Sequence, residues 1–151
     1  MFKMTEHEEA AIKGALRILE QHMRYNAVEL TSPELVKNYL KLRFAGLEHE
    51  EFHIIFLDAQ NKVISTDKMF IGTLTQTSIY PREVVKRALA HNADAIILAH
   101  NHPSGFARPS RADEMMTETI KKTMDLISVR VLDHIIVAGA ESYSFAEHGL
   151  I

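Results

Sequence analysis

The sequence predicts an α/β fold in which helices surround a mixed β-sheet. Some segments carry apolar residues every three or four positions, as amphipathic helices do, whereas others are short continuous apolar runs, as in covered strands. The chain of 151 residues suits one domain with a substantial core. Because no repeat, low-complexity tract or linker divides it, we treat residues 1–151 as a single domain.

Two helices are predicted first, forming an amino-terminal helical segment over residues 1–45. Over residues 5–24 the apolar positions follow helical spacing. A second helix is expected from Ser32-Pro33, since serine can cap a helix and proline suits its first turn, and Gly46 ends it. The remaining residues, 46–151, are predicted to hold the sheet and the functional site.

The period changes after residue 51, where apolar runs and turn residues replace the helical spacing. Strands are expected over residues 52–57, 62–66, 69–74 and 95–99. Tyr80-Pro81 predicts the start of a helix that ends near residue 91. The continuous apolar character of 52–57 and 95–99 indicates strands that are covered on both faces.

The last third of the chain predicts a loop, a helix and a strand. Residues 100–109 contain Gly105 and two prolines, which indicates a stiff, sharply turned loop. A capped helix is expected to follow through about residue 125, and one further strand over 129–137 precedes a turn at Gly139. The residues expected on the inner side of that helix are Met115, Met116, Thr119, Ile120 and Met124.

Composition excludes several classes of protein. Hydrophobic residues make up 46% and charged residues 25%, as in soluble globular proteins. The absence of cysteine excludes disulfides and thiolate sites, so any metal ion must be held by His, Asp or Glu. The net charge of -3 gives no general attraction to nucleic acid or anionic membranes.

We also expect a cytoplasmic protein with no membrane partner. The first residues lack the basic-then-apolar order of an export signal. The longest apolar runs, such as residues 95–99, are far shorter than the roughly 20 residues that span a bilayer.

The densest group of polar residues follows the strand predicted at 95–99. His100 and His102 are two positions apart, so in extended backbone their imidazoles point to the same side. Asp113, in the first turn of the next helix, can return to them across the stiff loop as a third ligand. Two imidazoles and one carboxylate leave a fourth position for water, which is typical of a catalytic zinc site.

A hydrolytic centre also needs a base that lies near the water without binding the metal ion. Glu50 and Glu51, immediately before the first predicted strand, are the candidates. A shift of one residue in strand register would exchange which of the two faces the site. The spacing alone therefore leaves both open.

Structural explanations compete with these assignments. Ser110 and Asp113 form an S-x-x-D helix cap, and such a cap alone is usually structural. Its combination with two histidines after a buried strand favours a metal site, where capping and catalysis can coexist. Asp133 and His134, on a later strand, are interpreted as structural residues outside the site, although such a histidine can also orient a ligand imidazole.

A second motif, His49 to His53, reads H-E-x-x-H, which on a helix would place both histidines on one zinc ion. The residues that follow it favour a strand, in which positions four apart are separated by about 13 Å. We therefore interpret this match as a coincidence. The letters His100-Asn101-His102 do not identify the nuclease of similar name, and a zinc deaminase would need cysteines.

The run Ile97 to Gly105 reads ILAHNHPSG and is followed by PSRAD at residues 109–113. Together they resemble the RadC family, a bacterial branch of the JAB/MPN (JAMM) metalloproteases. The JAMM pattern is a distant Glu, then H-x-H-P, with seven residues between the second His and a Ser and two more before an Asp. His102, Ser110 and Asp113 obey that spacing, and the similarity extends over roughly residues 45–151.

The resemblance implies an α-β-α domain of the JAB/MPN, cytidine-deaminase-like type over residues 46–151. It implies that His100, His102 and Asp113 bind Zn²⁺, that Glu50 is the base, and that Ser110 donates to the oxyanion of a tetrahedral intermediate. Longer RadC proteins carry an amino-terminal helix-hairpin-helix region associated with DNA binding. Residues 1–45 depart from it and resemble the short RadC-like proteins of mobile elements, which argues against nucleic acid as a partner.

The leading hypothesis is a zinc-dependent metallopeptidase-type hydrolase that acts on an amide or isopeptide bond of an unidentified peptide or protein. The alternative is a non-catalytic, metal-stabilised binding module linked to DNA repair or mobile elements. A metal-dependent nuclease is the weaker third hypothesis, because the acidic balance disfavours DNA binding. The oligomeric state stays open, with a homodimer among the options.

Overall fold

A computed structural model of the chain describes residues 3–25, 32–72 and 79–151. The elements in these residues are α1 (Glu6–Tyr25), α2 (Pro33–Arg43), β1 (Glu51–Leu57), β2 (Val63–Ile71), α3 (Pro81–Ala90), β3 (Ala95–Asn101), α4 (Arg111–Asp125), β4 (Arg130–Ala138) and β5 (Glu141–Ser144). The predicted α/β class with a mixed sheet and two leading helices is confirmed.

The five strands form one sheet in the order β2-β1-β3-β4-β5. The middle strand, β3, pairs antiparallel with β1 and parallel with β4. Helix α4 is the crossover between the two parallel strands, so it begins close to where β3 ends. Every residue of β1 and β3 is buried, as their continuous apolar sequences predict.

Helices cover both faces of the sheet and give three layers. Even-numbered residues of β1, such as Phe52, Ile54 and Phe56, pack with Val84 of α3 and Ile120 of α4. We call this side the α4 face. Odd-numbered residues of β1 and β3 pack against side chains of α1 and α2, on what we call the α2 face: Met23, Val36, Tyr39 and Leu40. The alternation of a strand thus separates two apolar clusters.

The strand predictions need three corrections. The two strands expected over 62–66 and 69–74 are one strand, β2, with register irregularities opposite β1. The end of the second prediction, residues 73–74, lies outside the described residues. Strand β3 continues to Asn101, two residues beyond the expected end. Strand β5 was not predicted, because four residues reading ESYS carry no apolar run.

Helix α4 is rotated about its own axis relative to the orientation that its apolar residues predict. Met116, Ile120 and Met124 are buried as predicted. Met115 and Thr119 are exposed instead, whereas Thr117 is buried together with Asp113. The inward face therefore carries two polar side chains beside Met116 in its first two turns and only apolar ones afterwards. A pattern based on hydrophobicity alone assigns those polar residues to solvent, which explains the error.

Within the residues that the structure describes, no helix has both the length and the apolar character needed to cross a bilayer.

Truncating the centre of the core should destabilise the fold strongly. Phe56 lies on β1 with no exposed surface, so Phe56→Ala should lower the free energy of unfolding by about 3–5 kcal/mol. Leu126→Ala is the matched control, since Leu126 is 86% exposed, and it should change that free energy by less than about 0.5 kcal/mol. Urea denaturation measures both, and similar values would contradict the assignment of the core.

Candidate metal centre

The two histidines of the H-x-H-P run lie on the α4 face, where β3 ends. His100 belongs to the strand and has no exposed surface. His102 follows it, and its N–H donates to the Val137 carbonyl at 2.8 Å, which continues the pairing with β4. The backbone is therefore still extended at residue 102, and both imidazoles point to one side as the spacing predicts.

The carboxylate comes from the first turn of α4. Ser110 is the N-cap, and its Oγ accepts a hydrogen bond from the Asp113 N–H at 3.1 Å. In return, Asp113 Oδ2 accepts from the Ser110 N–H at 2.8 Å, which completes a capping box. These two bonds satisfy N–H groups at the helix start and hold the Asp113 side chain over the end of β3.

The three side chains converge. His100 Nε2 and His102 Nε2 are 2.9 Å apart, and each faces a different oxygen of Asp113 at 3.3 Å. Ligands placed tetrahedrally at zinc–ligand distances are separated by about 3.3 Å. Among the described residues, this is the group of three His, Asp or Glu side chains whose ligand atoms come close enough to share a metal ion.

The donor chemistry at this point suits a cation. The Phe106 carbonyl can only accept, so His102 Nδ1, 2.8 Å away, carries a proton. In the neutral ring, Nε2 then presents a lone pair to the Asp113 carboxylate. Two acceptors at 3.3 Å repel each other unless a proton or a metal ion lies between them.

Burial and pairing set the charges of the three groups. Burial favours a neutral Asp113, but hydrogen bonds with His100 and His102 outweigh it and hold the pKa of this carboxyl well below its usual range. Burial lowers the pKa of His100. At the less buried His102, burial is outweighed by the contacts with Asp113 and the Phe106 carbonyl, so its pKa is raised.

Glu50 lies on the same face as the two histidines. Phe52 pairs with His100 across β1 and β3, so the same register continued by two residues places Glu50 beside His102. The charge of Glu50 is close enough to favour protonation of both histidines. Of the two candidates for the base, the structure therefore brings Glu50, and not Glu51, to the three converging side chains.

Asn101 holds the main chain on either side of Glu50. Its Oδ1 accepts from the Glu51 N–H at 2.7 Å, and its Nδ2 donates to the His49 carbonyl at 2.9 Å. The Glu50 carbonyl itself accepts from the Gly72 N–H at 2.8 Å. Three hydrogen bonds thus fix the backbone from residue 49 to residue 51.

The H-E-x-x-H segment does not form a helical zinc site, because residues 51–57 are the strand β1. His53 Nε2 and His49 Nε2 each contact a different oxygen of the Glu51 carboxylate, at 2.7 Å and 3.0 Å. Lys68 Nζ approaches the same group at 3.2 Å. Burial opposes ionisation of Glu51, but these partners outweigh it and lower its pKa. The Glu51 carboxylate is thus paired with these three side chains and is directed away from the candidate metal centre.

His134, which the sequence analysis places outside the site, lies directly behind His100. Its Nε2 is 2.8 Å from His100 Nδ1, and its Nδ1 is 2.5 Å from Thr117 Oγ1. Phe145 stacks on His134 with ring centroids 4.6 Å apart, and Phe52 stacks on His100 at 6.1 Å. Asp133, by contrast, is structural: it accepts from Ser144 Oγ at 2.6 Å and from the Ala146 N–H at 3.0 Å.

Thr117 and Asn101 were not predicted near the site, and His134 was interpreted as structural, although Thr117 and His134 each leave a signal in the sequence. Thr117 follows Asp113 by four positions, which places both on one side of a helix. His134 interrupts an apolar strand that runs parallel to β3. Asn101 lies between the two histidines on the opposite face of the strand, and its role depends on a register that the sequence leaves open.

Comparison with known proteins extends the expected similarity, given above as residues 45–151, toward the amino terminus. The family model for the RadC-like JAB domain matches residues 30–150. A "UPF0758 protein" of Albidiferax ferrireducens is 53% identical over 94% of this chain and 60% of its own length. Two Escherichia coli K12 proteins are similar over nearly their whole length: YkfG is 48% identical over 99% of this chain and 94% of the relative, and YeeS is 47% identical over 98% and 100%. The chain thus spans about three fifths of the longer relative.

Removing one imidazole should abolish metal binding at this centre. His102→Ala leaves one histidine and one carboxylate, too few ligands for a tight zinc site, so the purified variant should hold at least tenfold less zinc per chain. His7→Ala is the matched control, because His7 is exposed on α1. Elemental analysis after dialysis measures both, and equal zinc in all three proteins would contradict the assignment.

Metal affinity should fall as the pH decreases. Only unprotonated Nε2 can bind, so protons compete for His102, whose pKa is raised above 6.5. Asp113 stays ionised and His100 stays neutral in this range because their pKa values are lowered. Binding should therefore release protons, and more per ion as the pH falls through the pKa of His102, which calorimetry in buffers of different ionisation enthalpy measures. Binding without proton release would contradict this.

Proposed function

The chain belongs to the family of RadC-like JAB domains, and we propose that it is a zinc-dependent hydrolase of amide or isopeptide bonds. One observation carries the proposal: His100, His102 and Asp113 converge within 3.3 Å on the face that also carries Glu50. Three side chains are thus available to bind a metal ion, and the carboxylate of Glu50, which is not one of them, lies nearby. A hydrolase needs both, because activating water requires a Lewis acid and a proton acceptor.

Zinc is the ion that this ligand set suits best. Two imidazole nitrogens and one carboxylate oxygen form a three-ligand set that is common in catalytic zinc sites, which keep one position open. When bound, such an ion polarises a carbonyl group and makes water more acidic. His100, His102 and Asp113 would hold it, and the side chain of His102, which is 14% exposed, lies on the open side.

Glu50 is the proposed general base and acid. It takes a proton from the attacking water and returns it to the leaving amine. For both steps its carboxylate must stay in one position beside the reacting groups. The bonds that Asn101 and Gly72 make to residues 49–51 fix the main chain that carries this carboxylate. Glu51 is unsuited to the role because its carboxylate is paired with two histidines and a lysine on the other face.

Ser110 is the proposed donor to the negative oxygen of a tetrahedral intermediate. Its Oγ accepts from the Asp113 N–H as a helix cap, and that bond leaves the hydroxyl proton available to donate. The residue is exposed beside the carboxylate of Asp113, so a substrate carbonyl can reach it. Capping and oxyanion stabilisation are therefore compatible in the same side chain.

The proposed substrate is a peptide or protein. Ser110 and Phe106, which is 76% exposed, flank the partly exposed His102, so an extended chain can approach the site from the surface. Nucleic acid is disfavoured by the net charge of -3. The lack of cysteine is compatible with action in the cytoplasm.

A second candidate function is a non-catalytic module stabilised by the metal ion, with a role in DNA repair or in mobile elements. It is favoured by the depth of the centre: His100 is fully buried in β3, and Asp113 belongs to α4, so a bound ion would brace two elements of the core. This alternative requires no base. The role of Glu50 therefore distinguishes the two functions.

Replacing the proposed base should separate metal binding from hydrolysis. Glu50→Gln removes the proton acceptor but no ligand, so zinc content should stay unchanged while turnover falls about 10²–10⁴-fold. Glu48→Gln is the matched control, because Glu48 is exposed and two positions away. A proteome-wide comparison of new peptide termini, with each variant added to a cell extract, gives the readout.

The expected result is a set of cleavage products from the wild type and Glu48→Gln that is missing with Glu50→Gln. Identical products from all three proteins would contradict the role of Glu50. A zinc-loaded wild type that generates no products in extracts from cells carrying the gene would favour the non-catalytic module.

A further inference from the structure

A buried chain of hydrogen bonds leads from His100 back to the helix that supplies the carboxylate. His100 Nδ1 lies 2.8 Å from His134 Nε2, and His134 Nδ1 lies 2.5 Å from Thr117 Oγ1. Thr117 Oγ1 in turn donates to the Asp113 carbonyl at 2.7 Å. His100, His134 and Thr117 are each at most 2% exposed, so water does not compete for these bonds.

The chemistry of the last bond determines the direction of all the others. A carbonyl can only accept, so the single Thr117 hydroxyl proton points to Asp113, and Oγ1 must accept from His134 Nδ1–H. The other nitrogen of neutral His134, Nε2, then carries a lone pair and accepts from His100 Nδ1–H. This leaves the lone pair of His100 on Nε2, the nitrogen that faces His102 and Asp113.

We propose that Thr117 and His134 are positioning residues that hold His100 in the tautomer able to bind the metal ion. The proposal rests on the proposed metal site. A neutral histidine has two tautomers, and the other one would carry its proton on Nε2, in the place of the ion. The hydrogen bonds disfavour that tautomer. If every donor and acceptor in the chain were exchanged, Thr117 would donate to His134 and lose its bond to the Asp113 carbonyl.

Packing prevents the rings from escaping this arrangement by rotation. Phe52 stacks on His100 with an interplanar angle of 23°, and Phe145 stacks on His134 at 22°. Both phenylalanines are buried, so neither imidazole can flip without displacing core side chains. The tautomer of His102 is set by a different group, because its Nδ1–H donates to the Phe106 carbonyl. The tautomers of the two histidines are therefore set independently.

The decisive variants keep the shape of Thr117 and change only its hydroxyl. Thr117→Val is nearly isosteric and should weaken zinc binding about 10–100-fold, because His134 loses its acceptor. Thr117→Ser restores a hydroxyl and should stay within about threefold of the wild type. Thr123→Val is the matched control, since Thr123 makes the same bond to a carbonyl four residues earlier, at 2.8 Å, but on the exposed face of α4.

Zinc affinity is measured by competition with a chromophoric chelator, and thermal unfolding of the metal-free proteins shows that each variant folds. Wild-type affinity in Thr117→Val would overturn the proposal. Equal losses in Thr117→Val, Thr117→Ser and Thr123→Val would also overturn it, since they would indicate a general effect on the helix.

The tautomer is also observable without any metal ion. Two-bond ¹H–¹⁵N correlation spectra of the metal-free wild type, at a pH where the imidazoles are neutral, should show His100 protonated at Nδ1, and Thr117→Val should shift it toward Nε2. Protonation of wild-type His100 at Nε2 would overturn the proposal. This readout also separates two failures: a wild type with the expected tautomer that binds no zinc contradicts the proposed function and leaves the positioning role intact.

Discussion

The antiparallel register between β1 and β3 decides which chemistry the molecule can perform. Phe52 opposite His100 places every even-numbered residue of this region, Glu50 included, on the α4 face. A shift by one residue would bring Glu51 there and would turn the apolar residues of both strands to the wrong helices. The register is costly to change because both clusters depend on it, so the core of the protein and the geometry of the proposed site are specified together.

Two of the polar networks in this core lie on opposite faces of the sheet. On the α4 face, His100, His134 and Thr117 connect to Asp113, and on the α2 face Glu51 connects to His53. Buried polar groups are tolerated where they are paired, and the pairing also restricts each side chain to one orientation. Asn101 lies between the two networks and bonds only to the main chain. Within the described part of the chain, no hydrogen bond directly connects the candidate metal ligands on the α4 face with the Glu51 carboxylate on the α2 face.

Most of the architecture and the centre of the site could be predicted from the sequence. The apolar runs of β1 and β3, and the spacing of His100, His102 and Asp113, depend on local geometry that the sequence expresses directly. The spacing alone could not decide between Glu50 and Glu51, since the choice depends on pairing between strands far apart in the chain, and only the family resemblance indicated Glu50. Thr117 was not predicted, and His134 was interpreted as structural, for a related reason: the partner of a polar residue that faces the core is unknown until the sheet is in place.

The capping box ties the identity of residue 113 to the folding of α4 as well as to the ligand set. The Asp113 side chain accepts from the Ser110 N–H while the Asp113 N–H donates to Ser110 Oγ, and neither bond requires a metal ion. A descendant that abandoned metal chemistry would still gain helix stability by keeping this aspartate, whereas the His102 side chain bonds to one loop carbonyl, that of Phe106, and caps no helix. In drifting lineages the second histidine should therefore disappear before the aspartate does, and an intact aspartate is poor evidence of a working centre.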